Sequence, residues 1–208
     1  MALAGFSTAQ VAAIVLAAGL SSRMGTMKAL LPWENNRSVL AHILDQLRHA
    51  GLASIVVVTG YQAALLAREA ADFDVQFTHN HDFANGEMLR SIQTGLRALP
   101  EETSAALVVL GDQPQIQSAT VAQIMQAYWR DHSLIVMPSF EMRRGHPMLL
   151  DRRLWAELLA LPDGATAREV INRHAAEINY VPVNNDSILR DMDTPQEYEL
   201  ERRRAGFA

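Results

Sequence analysis

Apolar residues along the chain fall into two rhythms that take turns. Val11-Ala12-Ala13-Ile14-Val15 is an unbroken apolar run, and the segment to Ala17 reads as a buried strand. Residues 39–50 follow the other rhythm. Val39, Leu40, Ile43, Leu44 and Leu47 recur at helical spacing, with Ser38 placed to cap the start and Gly51 to stop the end. Further strands are predicted at 55–59, 75–78, 105–110, 134–137 and 178–183. Further helices are predicted at 62–71, 88–99, 120–129, 152–160, 166–174 and 195–204. In the 88–99 helix, Ile92, Leu96 and Leu99 share a face and Pro100 lies just past the end.

Strands alternating with helices imply a mostly parallel sheet covered on both faces. In such sheets ligands bind in the crevice beyond the carboxyl ends of the strands. No internal repeat or long linker divides the chain, and Pro162-Asp163-Gly164 reads as a turn, so residues 1–208 are expected to form a single domain.

Two polar loops follow strand ends and so fall on that crevice. The first is Leu16-Ala17-Ala18-Gly19-Leu20-Ser21-Ser22-Arg23-Met24-Gly25-Thr26-Met27-Lys28. Small residues let backbone N–H groups approach a ligand, and one Arg and one Lys supply charge for a phosphate chain. Gly19 and Gly25 match neither the dinucleotide nor the P-loop glycine spacing. A turn with two solvated cations fits the same spacing. The second loop, Gly111-Asp112-Gln113-Pro114, puts a carboxylate at the end of a buried strand, where it needs a partner. A divalent cation is one candidate, and a turn aspartate is equally consistent.

Near the C-terminus, Thr194, Pro195 and Glu197 compose a capping box with Pro at the first helical position. Asp191 and Asp193 remain. Extended backbone would point them the same way, towards a cation shared with Asp112. Alternatively, Asp193 favours the positive helix start while Asp191 pairs with Arg190 or water. Asn80 to Leu96 opens a helix after a strand, and Ser91 by itself reads as a helix-surface serine. Arg143-Arg144-Gly145-His146-Pro147 is a compact basic turn that could grip an anion or simply be solvated. His42 and His49 share a helix face and read as structural, and Arg202-Arg203-Arg204 suits a helix C-terminus.

Composition narrows the classes. Hydrophobic content is 49% over 208 residues, with no apolar stretch long enough for a membrane helix. The first ten residues lack the features of a signal peptide. Cysteine is absent, which removes disulfides, thiolate metal sites and a cysteine nucleophile. A cytoplasmic location is expected. The net charge of −5 argues against nonspecific nucleic-acid binding but leaves room for a locally positive nucleotide site.

The L-A-A-G-x-S-x-R-M-G-x-x-K loop resembles the signature of the MobA-like nucleotidyltransferases. That resemblance implies a three-layer α/β/α sandwich with a Rossmann-like sheet of the nucleotide-diphospho-sugar transferase type. It implies transfer of NMP from an NTP to a phosphorylated acceptor, with release of pyrophosphate and dependence on Mg²⁺. Arg23 and Lys28 would contact the triphosphate. Leu16, Ala17, Ala18, Gly19, Thr59, Asn80, Gly86 and Ser91 would complete the nucleotide side. Asp112 would bind the metal, with Asp193 preferred over Asp191 as second ligand. Arg144, Gly145 and His146 match an R-G-H-P element on the acceptor side. Departures are Phe83 for a larger aromatic, Glu87 where Met is usual, with Met88 one place later, and Glu197 at a usual Asp. Ala18, Asp193 and R-G-H-P resemble the cytidylyl branch, so CTP and molybdopterin are the expected substrates, with a cofactor-delivery chaperone as a candidate partner. Two alternatives stand beside this. One is a guanylyl or sugar-phosphate transferase of the same fold. The other is a non-catalytic nucleotide-binding protein.

Overall fold

A computed structural model describes residues 11–20, 24–35, 37–85 and 88–207. Strand β1 (Val11–Ala17) lies in the sheet interior, with β2 (Ser54–Thr59) on one side and β4 (Ala105–Leu110) on the other, both parallel to it. Strand β3 (Gln76–His79) extends the sheet in parallel beyond β2. On the far side of β4 the direction changes. Strand β7 (Met148–Asp151) inserts antiparallel between β4 and β5 (Ile135–Phe140). The two-residue β6 (Arg143–Arg144) folds back on β5, and β8 (Ile178–Pro182) pairs with β5 in parallel. The sheet is therefore mixed, with parallel pairings prevailing.

Neither β6 nor β7 was expected from the sequence, where 143–147 read as a loop. Strand β6 is two exposed arginines with no alternation to see. Strand β7 is four fully buried positions running straight into a 3-10 turn, too short for its period to show.

Alternate residues of each central strand enter opposite cores. Ala13, Val15, Val57, Leu107 and Val109 meet α1 (Val39–His49), α4 (Ser118–Asp131) and parts of α2 (Ala63–Glu69) and α7 (Pro195–Arg204). Ile14, Val56, Val58, Ala106 and Val108 meet α3 (Met88–Ala98), α5 (Trp155–Ala160) and α6 (Ala167–Arg173). This gives the expected three layers. The Ser38 hydroxyl accepts from the Ala41 N–H at 3.2 Å, and α1 ends two residues before Gly51, as its pattern predicted. Helix α3 rides directly on β1, since a Cβ at Gly95 would stand 2.3 Å from the Ile14 side chain. That closeness fixes where the N-terminal turns of α3 present Met88 and Ser91. Among the described residues, no helix is long and apolar enough to cross a membrane.

Candidate active site

The carboxyl ends of β1 and β4 are joined before the chain leaves the sheet. The Gly111 N–H donates to the Leu16 carbonyl at 3.0 Å, extending the β1–β4 ladder by one rung. Any Cβ at Gly111 would meet that carbonyl at 2.6 Å, so only glycine permits the approach. Asp112 is thereby delivered to the foot of the Leu16–Gly19 loop. A cleft of about 350 Å³ opens there, lined by Leu16, Ala17, Ala18, Gly19, Lys28, Asn80, Ser91, Asp112, Asp191 and Asp193.

At its centre the Lys28 ammonium donates to Asp112 Oδ2 at 2.8 Å and to Asp193 Oδ1 at 2.6 Å. The lysine side chain is 11% exposed, whereas the two aspartates are 39% and 33% exposed. Burial pushes the Lys28 pKa down. The Asp112 and Asp193 carboxylates more than offset this, so the net shift is upward and the group is charged at neutral pH. Lys28 starts a 3-10 turn that the Leu31 N–H closes onto the Lys28 carbonyl at 3.1 Å. Trp33, 2% exposed, anchors the following loop, and Tyr198 of α7 donates to the Pro32 carbonyl.

The C-terminal acidic segment behaves as its alternation predicted. Met192 is buried at 1% exposure, while Asp191 and Asp193 both turn to the cleft. Asp191 accepts from Gln113 Nε2 at 2.9 Å rather than pairing with Arg190, which reaches Glu201 instead. The capping box is present. Glu197 Oε2 accepts from the N–H groups of Asp193 and Thr194 at 2.9 and 2.8 Å, which pins the backbone carrying Asp193.

Ser91 is no surface serine. It is 7% exposed, and its hydroxyl accepts from Asn80 Nδ2 at 3.1 Å. Asn80 is tied in turn to Asp82 N–H through its Oδ1 and to the Thr59 carbonyl through its own N–H. The two residues thus form a prearranged polar wall. Thr59 stands behind this wall, its hydroxyl donating to the Thr78 carbonyl at 3.2 Å, and does not line the cleft. Arg23 and Gly86, two expected nucleotide-side residues, lie outside the described residues.

Arg144, Gly145 and His146 border a second cleft of about 580 Å³. Met88 lines both clefts and so marks where they meet. Its floor is apolar, with Met137, Met148 and Ile171, and Arg168 stands on its rim. Gly145 lies against Ile188, whose carbonyl would be 2.1 Å from an added Cβ. Burial pushes the His146 pKa down, against an opposing backbone hydrogen bond at Val108 and the more distant Asp191 and Asp112 charges, so the imidazole is neutral at pH 7. The sequence offered no signal for the methionine floor, since a cleft methionine and a core methionine have the same pattern. Gln113 was within sight beside Asp112, but nothing local says which way its amide points.

Among the described residues, no three His, Asp or Glu side chains cluster as a metal cage. The acidic pair around Lys28 is a different arrangement, with two carboxylates converging on one cationic position.

Comparison with known proteins identifies the family. Residues 13–178 match the family model described as the MobA-like NTP transferase domain. The chain is similar to the molybdenum cofactor cytidylyltransferase of Escherichia coli K12, 28% identical over 187 residues that cover 89% of this chain and 92% of that protein. It is also similar to the nicotine blue oxidoreductase of Paenarthrobacter nicotinovorans, 27% identical, with 90% and 94% covered. The solved structure of Rv0371c from Mycobacterium tuberculosis superposes with a TM-score of 0.80 at 25% identity, covering 93% of this chain and 98% of that one. A second structure of that protein is a complex with manganese. The matched span runs from β1 through α6 to the start of β8 and takes in both strand-end loops, so the chain belongs to the MobA-like NTP transferase domain family.

Proposed function

We propose that this protein is a Mg²⁺-dependent nucleotidyltransferase that moves CMP from CTP onto a phosphorylated acceptor, molybdopterin first among them. One observation carries the reading. A charged lysine is held between two carboxylates at the floor of a cleft formed by a small-residue loop at a strand end. Two relatives of nearly equal identity have names from different reaction classes, so the site rather than the family has to decide the chemistry.

In this reading the triphosphate lies along Leu16–Gly19, with Lys28 and Arg23 on its oxygens. An acceptor phosphate oxygen attacks the α-phosphorus in line. An O–P bond forms as the bond to the leaving pyrophosphate breaks, and no protein nucleophile takes part. Such chemistry depends on positioning and charge stabilisation. Lys28 would trade its carboxylate partners for phosphate oxygens and balance the charge that grows on pyrophosphate. The Asn80–Ser91 wall would bound the nucleoside end of the cleft. The acceptor would occupy the adjoining cleft, with Arg144 and His146 along its edge.

The acidic pair fits a Mg²⁺ ion. Mg²⁺ is commonly held by one or two carboxylates together with substrate phosphates, and Asp112 and Asp193 already converge on a single cation. Asp112 and Asp193 would hold it, with Asp191 in reserve as a hydrogen-bonded neighbour. When bound, Mg²⁺ supplies charge neutralisation at the transferring phosphoryl group. The preference for CTP draws on the L-A-A-G form of the loop and on the Escherichia coli relative.

The test is calorimetric binding of CTP, GTP, ATP and UTP with Mg²⁺ to the wild type and to Lys28→Ala, followed by turnover with molybdopterin. Selective, Lys28-dependent CTP binding supports the proposal. Selective binding of another NTP keeps the chemistry and removes the cytidylyl assignment. No binding of any NTP returns the protein to a non-catalytic role.

A further inference from the structure

Glu201 is 3% exposed near the end of α7, yet its carboxylate is fully engaged. Oε2 forms an ion pair with Arg190 Nη1 at 3.0 Å and accepts from Gln115 Nε2 at 3.1 Å, and Oε1 accepts from Arg204 Nη1 at 2.7 Å. The Arg204 contact is an ordinary i,i+3 pair within the helix. The other two reach out of it. Gln115 sits three residues after Asp112. Arg190 immediately precedes Asp191 and lies three residues before Asp193. A second rung, Gln113 Nε2 to Asp191 Oδ1 at 2.9 Å, joins the same two segments.

These segments come from distant parts of the chain, and Lys28 bridges them as well, through Asp112 and Asp193. A buried carboxylate is a poor way to gain stability alone, because well-packed apolar residues do as well or better. A buried carboxylate held by side chains from both segments ties the two together directionally.

We propose that Glu201 is a positioning residue, a clamp that holds the 111–115 loop and the 190–193 segment together so that Asp112 and Asp193 stay at the spacing that grips a cation. Its functional consequence rests on the nucleotidyltransferase reading above. Glu201 touches neither nucleotide nor metal in this scheme. It acts through Gln115 and Arg190 on the backbone that carries the two aspartates. Partners behind metal ligands commonly control affinity by about 10- to 100-fold.

The experiment is titration of the full chain with Mn²⁺, free Mn²⁺ being read by electron paramagnetic resonance, with and without CTP. Wild type is compared with Glu201→Gln and Gln115→Ala, and with Asp151→Asn as a control. Asp151 is also a buried, fully bonded carboxylate, held by Tyr128 and Arg153, but it pairs with Ala105 at the opposite end of β4 from Gly111. Glu201→Gln is expected to weaken Mn²⁺ binding by about tenfold or more. Gln115→Ala, which leaves Glu201 its two arginines, should weaken it less and provides the measurement if Glu201→Gln does not fold. Asp151→Asn should lower the melting temperature and leave Mn²⁺ affinity unchanged. Wild-type affinity in either folded clamp variant overturns the clamp, as does an equal loss in Asp151→Asn. No Mn²⁺ binding by the wild type under any condition overturns the metal reading of Asp112 and Asp193, and the clamp with it.

Discussion

Replacing Lys28 with methionine removes the charge between Asp112 and Asp193 while keeping most of the stem. At about 3 Å, one ion pair is worth roughly 1.4 kcal/mol at the dielectric of water and roughly 5.5 kcal/mol at an effective dielectric of 20. Both aspartates are more than 30% exposed, so screening pulls each pair toward the lower figure. Burying the ammonium offsets part of the rest. A net loss of about 2 kcal/mol follows, which is about 4–8 °C in melting temperature for a chain of this size. The variant also leaves two carboxylates facing one vacated cationic position. Mg²⁺ should therefore stabilise Lys28→Met by about 2.7 kcal/mol at a hundredfold excess over the variant's dissociation constant, and the wild type by less at the same concentration. The assay is thermal unfolding of both proteins in EDTA and across a Mg²⁺ series, without nucleotide. The pH dependence has a defined sign. The folded pKa of Lys28 is raised, so its contribution is complete below the unfolded lysine pKa and disappears as pH climbs through the higher folded value. The wild-type excess in stability should persist through neutral pH and fade only in the alkaline range. Equal melting temperatures in EDTA, together with equal Mg²⁺ responses, would refute the reasoning.

Three further outcomes are expected. Asp112→Ala should lower turnover by about 10²–10³-fold, the scale for losing one electrostatic stabiliser, with an unchanged circular dichroism spectrum. Wild-type turnover in that variant would remove Asp112 from the mechanism. Gly145→Ala should destabilise the protein and disturb the second cleft, because the new methyl would stand 2.1 Å from the Ile188 carbonyl. An unaltered melting temperature and acceptor KM would show that the 145–188 contact yields easily. His146 has a folded pKa depressed by burial, so the unfolded chain binds the proton first and stability should decline as pH falls below the ordinary histidine range. His146→Asn should flatten that limb in pH-dependent denaturant melts, and an identical slope would assign the limb to other groups.

Much of the scaffold was legible because its signals are local. The β1 span Val11–Ala17 and the α7 span Pro195–Arg204 coincide with the apolar run and with the capping box that announce them. The 191–193 alternation needed only extended backbone and one buried methionine to aim both aspartates at the same cleft. The three-layer architecture follows from strands apolar on both faces alternating with amphipathic helices. Strands β6 and β7 were hidden because their formation depends on a partner, β5, rather than on any period of their own.

The site divides along the same line. Residue types chosen by local sequence, a lysine after a small-residue loop and an aspartate past each of two segments, named the participants. Their meeting is a tertiary fact. Lys28 lies 84 positions from Asp112 and 165 from Asp193, and only the β1–β4 ladder and the docking of α7 bring their charges within 3 Å. The same holds for Ser91, which sequence alone leaves on the helix surface and Asn80 draws into the wall. It holds most of all for Glu201, whose three partners come from three places in the chain. Local sequence determines which faces are apolar and which groups are charged. Burial, and the requirement that every buried charge find partners, determines which of those groups meet.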